Sequence, residues 1–414
     1  MNEKRIVITG TGAVSSLGNS VEALWDGVLS GRSGIRPITR FDASEYRTRF
    51  AGELRDFDIT TVIPDKQAKR LDPFCHYALA AADQAIKQSG LDLTTVDPSR
   101  FGVFVGSGIG GILTLENQIR RSVEGGPSRV SPFLIPMMIL DMAAGALSMQ
   151  YKAQGPNFSI TSACATGTHS IGEAYWCLRR GDADIMLAGG AEACISPIGI
   201  AGFCSMKALS ERNDDPAHAS RPFDRDRDGF VIAEGAGILV METEAHALAR
   251  GATILAELAG YGASADAHHM TAPCPGGEGA ALAIEMAMRH ANIQPSDIGY
   301  VNAHGTSTPL NDKYETMAIK RALGAAAYDI PVSSIKALTG HTLGAAGGIE
   351  TIVCIKVISE GIIPGTYNME NQDPDCDLNY LPNQNLKRDV KVAMNQNFGF
   401  GGHNGVLLVR KYES

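Results

Sequence analysis

Apolar residues come in short runs broken by turn-forming residues, and the runs alternate between strand-like and helix-like lengths. Arg5–Thr9 is a short β-branched run that predicts a strand followed by glycine-rich turn chemistry. From Phe74 to Ser89 apolar residues, many of them alanine, recur at helical spacing. Phe101–Val105 predicts a strand ending in Gly106-Ser107-Gly108-Ile109-Gly110-Gly111. Ser159–Thr161 predicts a strand leading into a turn at Cys164 and a helix reaching Arg180. Strands are expected at Asp184–Ala188, closed by Gly189-Gly190, and at Gly237–Glu242.

A similar series then recurs: a strand at Ile254–Tyr261, a helix at Gly279–Ala291, a strand at Ile298–Asn302 ending at His304, a helix at Thr342–Ser359, and strands at Val390–Asn395 and Gly405–Arg410. The alternation predicts a layered α/β fold. The two series are similar in element order, and the join near Glu242–Ile254 divides the chain into halves at 1–250 and 251–414. No strong residue-level repeat accompanies the division.

Composition narrows the class. A chain of 414 residues that is 44% hydrophobic can bury one large core or two fused ones. With 20% charged residues and no low-complexity tract, it reads as ordered. A net charge of −9 without a dense Lys/Arg run argues against nucleic acid as partner. It leaves room for a local basic patch. Lys66, Lys69, Arg70, Arg120 and Arg121 are the candidates, read first as ordinary solvated charge. The N-terminal segment MNEKRIVITG lacks a signal-peptide pattern, and the apolar stretch Phe133–Leu147 is broken by Pro136 and Asp141 and too short to span a bilayer. A soluble, cytoplasmic protein is expected. The eight cysteines form no CxxC pair, so they are expected to be reduced and mostly buried, and any catalytic one needs specific support.

That support comes from four segments. In Ser159-Ile160-Thr161-Ser162-Ala163-Cys164-Ala165-Thr166-Gly167 an apolar run ends in small residues and a helix begins. Cys164 then sits at a helix start, where unpaired N–H groups and the dipole favour a thiolate. The geometry follows the logic of a nucleophile elbow with sulfur for hydroxyl. Tyr300-Val301-Asn302-Ala303-His304-Gly305-Thr306-Ser307-Thr308-Pro309 delivers His304 from a strand into a turn of small residues. Lys336-Ala337-Leu338-Thr339-Gly340-His341-Thr342-Leu343-Gly344 places a lysine near His341 ahead of a helix that carries Glu350, a possible partner for Lys336. Asn397-Phe398-Gly399-Phe400-Gly401-Gly402-His403-Asn404 has glycines that permit unusual backbone angles and can aim N–H groups at an oxyanion. Each segment alone also suits an ordinary structural turn.

Together, in this order and spacing, the Cys164 turn, NAHGTST, KALTGHTLGAAG and NFGFGGHN resemble the β-ketoacyl-acyl carrier protein synthases of the thiolase superfamily, over essentially the whole chain. The nearest group is the type II synthases of bacterial fatty-acid elongation. The resemblance implies a thiolase-like five-layer αβαβα fold built from two similar halves. It implies an acyltransferase in which Cys164 takes an acyl chain from acyl carrier protein and malonyl-acyl carrier protein then adds to it by decarboxylative Claisen condensation. By the same resemblance His304 and His341 stabilise the enolate and Lys336, supported by Glu350, holds the electrostatics. The resemblance also implies that the N–H groups of Cys164 and Phe400 form the oxyanion hole and that Thr306 and Thr308 bind the pantetheine arm. Ile109, Phe203, Leu343 and Phe400 line the acyl pocket, and Phe400 also matches a gate. Phe133 is expected to reach the acyl tunnel of a partner subunit, so a homodimer is implied. No resident cofactor or metal is expected, since phosphopantetheine arrives on the carrier protein. One departure is Asn311, where the family pattern Pro-x-Gly-Asp has glycine.

Rival readings have their own residues. Val7-Ile8-Thr9-Gly10-Thr11-Gly12-Ala13-Val14-Ser15 imitates a dinucleotide fingerprint, but Ser15 replaces the third glycine and no acidic residue clearly ends a second strand, which leaves an NAD-linked oxidoreductase remote. Asp224-Arg225-Asp226-Arg227-Asp228-Gly229 imitates a calcium loop, but position 235 is glycine and the flanks are not helical. It reads as a charged structural turn. His268-His269 lacks further metal-ligand spacing and reads as a surface loop. A degradative thiolase would need a second active-site cysteine in the C-terminal half. A stand-alone polyketide-type ketosynthase is the nearer alternative, and a non-catalytic chain-length partner is opposed by the presence of Cys164, His304, Lys336 and His341.

Overall fold

The computed structural model describes residues 4–413, so the N-terminal segment is described from Lys4 onward. Ten strands form one sheet among these residues: β1 Ile6–Ser15, β2 Phe101–Gly106, β3 Asn157–Phe158, β4 Ile185–Glu192, β5 Gly235–Thr243, β6 Ala256–Ala265, β7 Tyr300–Asn302, β8 Val332–Ser333, β9 Val392–Gly399 and β10 His403–Arg410. Their order is β8-β7-β9-β10-β6-β1-β5-β4-β2-β3. The sheet nearly divides at its centre. β1 pairs with β5 along its whole length, but with β6 only where Ile6–Ile8 face Ala256–Leu258.

Five helices build the layers: α1 Pro73–Ser89, α2 Thr166–Arg180, α3 Glu278–Ala291, α4 Pro309–Leu323 and α5 Ala346–Glu360. Their ends follow local chemistry. Asp72 caps α1 through the Phe74 N–H, Pro73 opens it, and Gly90 closes it at φ +63°. α2 and α5 likewise stop at the left-handed glycines Gly181 and Gly361. α1 covers the outer face of the first half-sheet, and α3 and α4 cover the second. α2 and α5 lie between, with α5 touching both β9 and β5. Three separate apolar clusters fill the interfaces. One, with Ile8, Ile171, Leu239, Leu258, Ile352 and Leu407, occupies the middle, and the others lie under α1 and under α3. This is the five-layer α/β architecture, with two similar halves.

Besides Gly189-Gly190, which do not close their strand but lie inside it as it runs on to Glu192, two expectations need correction. β1 does not turn after Thr9 but runs through Gly10-Thr11-Gly12 to Ser15. The glycines are needed inside the strand because a Cβ there would strike the α1 carbonyls of Ala85 and Ala81. Gly260 and Gly262 of β6 stand in the same relation to Ala287 and Ala283 of α3. The halves therefore do share a residue-level signature, a G-x-G that lets a helix lie directly on a strand. Secondly, Ser159–Thr161 is not a strand; pairing with β2 is confined to Asn157–Phe158, and the chain then approaches Cys164 without ladder bonds.

Candidate active site

Cys164 lies in a single 3-10 turn, Ala163–Ala165, that runs straight into α2. Ala163 takes φ +50°, a left-handed backbone that a side-chain-bearing residue rarely adopts. Beyond the sharp turn, Cys164 lines the cavity described below. The second half repeats the device: Leu343 has φ +44° and opens the turn Leu343–Ala345 ahead of α5. Gly344 there occupies the place of Cys164.

His304 follows β7, and its loop is held by a buried carboxylate. Glu315 of α4 accepts from the backbone N–H groups of His304 and Gly305 at 2.6 and 2.7 Å, and from Gln396 Nε2 at 2.6 Å. Asn311 joins this group, donating to Asp312 Oδ1 at 3.1 Å and Glu315 Oε2 at 3.4 Å. The unexpected residue thus ties together the two acids that fix the loop. The charged turn at Asp224–Gly229 serves the same loop. Arg227, almost fully buried, donates to the carbonyls of Thr308 and Pro309 and pairs with Asp373 at 2.6 Å. It is the structural turn the sequence suggested.

His341 is fixed by its backbone, which bonds with Val231 and Ala233, while neither ring nitrogen has a hydrogen-bond partner. Its ring meets that of His304 edge to face, with centroids 5.2 Å apart. The donor atoms of Cys164, His304 and His341 all lie within 4.8 Å of one another. Among the described residues they form the one group of Cys, His or acidic side chains close enough to share an ion. Lys336 is buried and ion-paired with Glu350. Glu350 also accepts from Asn397 Nδ2 at 2.6 Å.

Burial sets the protonation states. It pushes the Cys164 thiol up to about 12, against the pull of Lys336 and of the Cys164 and Phe400 N–H groups. The thiolate expected at the helix start is outweighed because the turn is dry and Glu192 adds a nearby negative charge. Burial and the Lys336 charge hold His304 and His341 well below the usual histidine range. The resting site therefore presents a neutral thiol and two neutral imidazoles.

These groups open into a cavity of about 570 Å³. Ile109, Phe203, Leu343, Thr306, Thr308 and Phe400 all line it. The two threonine hydroxyls bond to each other at 3.0 Å. Lys336 and Glu350 stand behind the histidines rather than in the wall. Phe133 is outside the cavity of its own chain, with the Arg70 guanidinium 4.9 Å above its ring. His268-His269 belongs to an exposed loop in which the His269 Nδ1 accepts from the Thr271 and Ala272 N–H groups.

Sequence reasoning missed Glu192. It is fully buried and accepts from Ser107 and from the N–H groups of Gly108, Ile109 and Gly344. It thereby joins the Ile109 loop to the Leu343 turn. Its one signal was an acid ending the apolar strand IMLAGGAE. Asn397 was visible only as the first letter of a glycine-rich motif.

Comparison with known proteins agrees over the full length. The family model described as beta-ketoacyl synthase, N-terminal domain, matches residues 3–247, and the corresponding C-terminal domain matches residues 255–370. The chain is 50% identical to the 3-oxoacyl-[acyl-carrier-protein] synthase 2 of Synechocystis, over 100% of this chain and 99% of that protein. Identity to the same-named protein of Coxiella burnetii is 46%, over 99% of each. Among solved structures, a ketosynthase from a type II polyketide system in complex with its acyl-carrier protein superposes with a TM-score of 0.93 at 35% identity, covering both chains fully. A beta-ketoacyl synthase from Burkholderia phymatum gives 0.92 at 35% identity, over 99% of this chain and 100% of that one. No helix among the described residues is long and apolar enough to cross a membrane.

Proposed function

The chain belongs to the β-ketoacyl synthase family, and from that premise we propose that Cys164 carries an acyl chain while a malonyl unit on acyl carrier protein is decarboxylated against it. The activity is that of a 3-oxoacyl-acyl carrier protein synthase of the second type, an acyltransferase of fatty-acid elongation. Identity of 46–50% to such synthases, against 35% to the polyketide ketosynthase, favours fatty acid over polyketide as the product class. The observation that carries the site assignment is the convergence of one thiol and two neutral imidazoles on one cavity.

The first half-reaction moves the acyl group. Cys164 Sγ attacks the thioester carbonyl, whose oxygen is received by the N–H groups of Cys164 and Phe400. The carrier's sulfur departs and takes up the proton that the Cys164 thiol gives up. In the second, the malonyl thioester carbonyl accepts hydrogen bonds from His304 and His341. The bond from the malonyl α-carbon to the carboxylate breaks, carbon dioxide leaves, and the electron pair forms the enolate. Neutral imidazoles stabilise that oxygen without protonating the carbanion. The carbanion attacks the Cys164 thioester, and the expelled thiolate takes a proton from solvent. A thiolate whose conjugate acid sits near 12 readily recovers it.

Lys336, paired with Glu350, keeps a positive charge behind the histidines and lowers their basicity. Thr306 and Thr308 receive the pantetheine arm, and Ile109, Phe203 and Leu343 receive the acyl chain. The reading needs no resident cofactor or metal, and a cytoplasmic location goes with it. The partners are acyl- and malonyl-loaded carrier protein and a second copy of the chain. The division at 250/251 into a half bearing the nucleophile and a half bearing the histidines and lysine is supported by the paired turns at Cys164 and Gly344. In a condensation assay with acyl- and malonyl-carrier protein, the wild type should form the β-ketoacyl product and Cys164→Ala should form none. Mass spectrometry should find the acyl adduct on Cys164 and on no other cysteine. Normal turnover by the variant would overturn the assignment.

A further inference from the structure

Asn397 is fully buried near the end of β9. Its side chain makes three contacts, one of them with His304 in the cavity wall. The Thr168 hydroxyl donates to Oδ1. Nδ2 donates to Glu350 Oε2 at 2.6 Å. The same nitrogen lies 3.4 Å from Nδ1 of His304. A carboxylate only accepts, so Glu350 decides which end of the amide is the nitrogen, and the Thr168 hydroxyl is free to donate to the other end. The amide thus has one orientation. Its first proton goes to Glu350 and its second faces His304. Two N–H groups pointing at each other repel, so His304 Nδ1 must offer its lone pair, and the ring proton sits on Nε2.

We propose that Asn397 is a positioning residue that sets the tautomer of His304, leaving the Nε2 proton for the substrate oxygen in the cavity. Lys336, Glu350, Asn397 and His304 then form one line of support: the lysine holds the acid, the acid orients the amide, and the amide orients the imidazole. The inference rests on the reading of His304 as an enolate donor.

Asn397→Asp nearly keeps the shape but puts an acceptor oxygen against Nδ1, which draws the ring proton there and strips Nε2. Losing one donor to a developing oxyanion typically costs about 100-fold or more in turnover. Condensation kcat should therefore fall about 100-fold. KM for malonyl-carrier protein should move less than about tenfold, and so should the rate of Cys164 acylation, which does not use His304. Asn397→Leu, which removes the donor without adding charge, should lose condensation selectively but by less. In 15N-histidine spectra of the full enzyme, His304 should carry its proton on Nε2 in the wild type and on Nδ1 in Asn397→Asp. A wild type protonated on Nδ1, or an Asn397→Asp enzyme that condenses at the wild-type rate, overturns the inference. If the variants fail to fold, acylation is lost with condensation, and the wild-type spectrum alone decides. A wild type that fails to condense at all sinks the functional reading instead, which the tautomer measurement does not address.

Discussion

Burial acts on acids and bases in opposite senses, and Cys164, His304 and His341 use both. Dehydration raises the thiol and lowers the imidazoles, so all three are neutral together. Elsewhere a single residue does the reverse. Glu242 is shielded from water, yet Arg250, His246 and Thr9 donate to it and hold its carboxyl at about 2. Its folded-state value is below the ordinary 4.5, so its contribution to stability is complete above about pH 4.5. It is lost as the pH falls toward 2, and amounts to about 3 kcal/mol at most. Urea titrations across that window should show a wild-type stability decline that Glu242→Gln largely lacks. A parallel decline in both proteins would assign the acid sensitivity to other groups.

Helices settle onto strands in this protein through missing side chains. Gly10 and Gly12 admit α1, and Gly260 and Gly262 admit α3. In sequence the first pair imitates a phosphate-binding loop, since glycine serves close backbone approach in either case. The structure assigns it to packing, with the Ala81 and Ala85 carbonyls where a Cβ would go. Gly12→Ala and Gly262→Ala should each lower unfolding free energy by about 3 kcal/mol, the cost of forcing a methyl into a filled interface. Chemical denaturation measures it, and two near-neutral variants would contradict the packing account. The element boundaries at α1 and α2 were legible because Asp72-Pro73, Gly90 and Gly181 are strong local signals. The span of β1 was not, because only contact with α1 makes glycine the favoured strand residue there.

At the scale of the whole molecule the halves are alike and their chemistry is divided. Each offers a tight turn at the head of a central helix, but only the first places a thiol there, and the second supplies the histidines and the lysine. Arg5 ties the seam by pairing with Glu244 and with Glu257, at 2.6 and 2.8 Å. The outer edge beyond β2 is open: β3 leaves Phe158 50% exposed, near an end of the sheet, and Ile135 and Met149 are 59% and 60% exposed. An unpaired edge strand with apolar neighbours suits pairing with a second copy. Sedimentation should give twice the chain mass, and Phe158→Glu should shift it toward the monomer; a monomeric wild type would refute the homodimer. The sequence by itself determined the alternation of strands and helices and the four motifs that name Cys164, His304, Lys336 and His341, because these are written in local spacing and residue type. Only the tertiary structure decided that the thiol rests protonated, that Glu192 joins the Ile109 loop to the Leu343 turn, and that Asn397 faces His304. Those outcomes depend on burial and on groups far apart in the chain, and neither has a local signature.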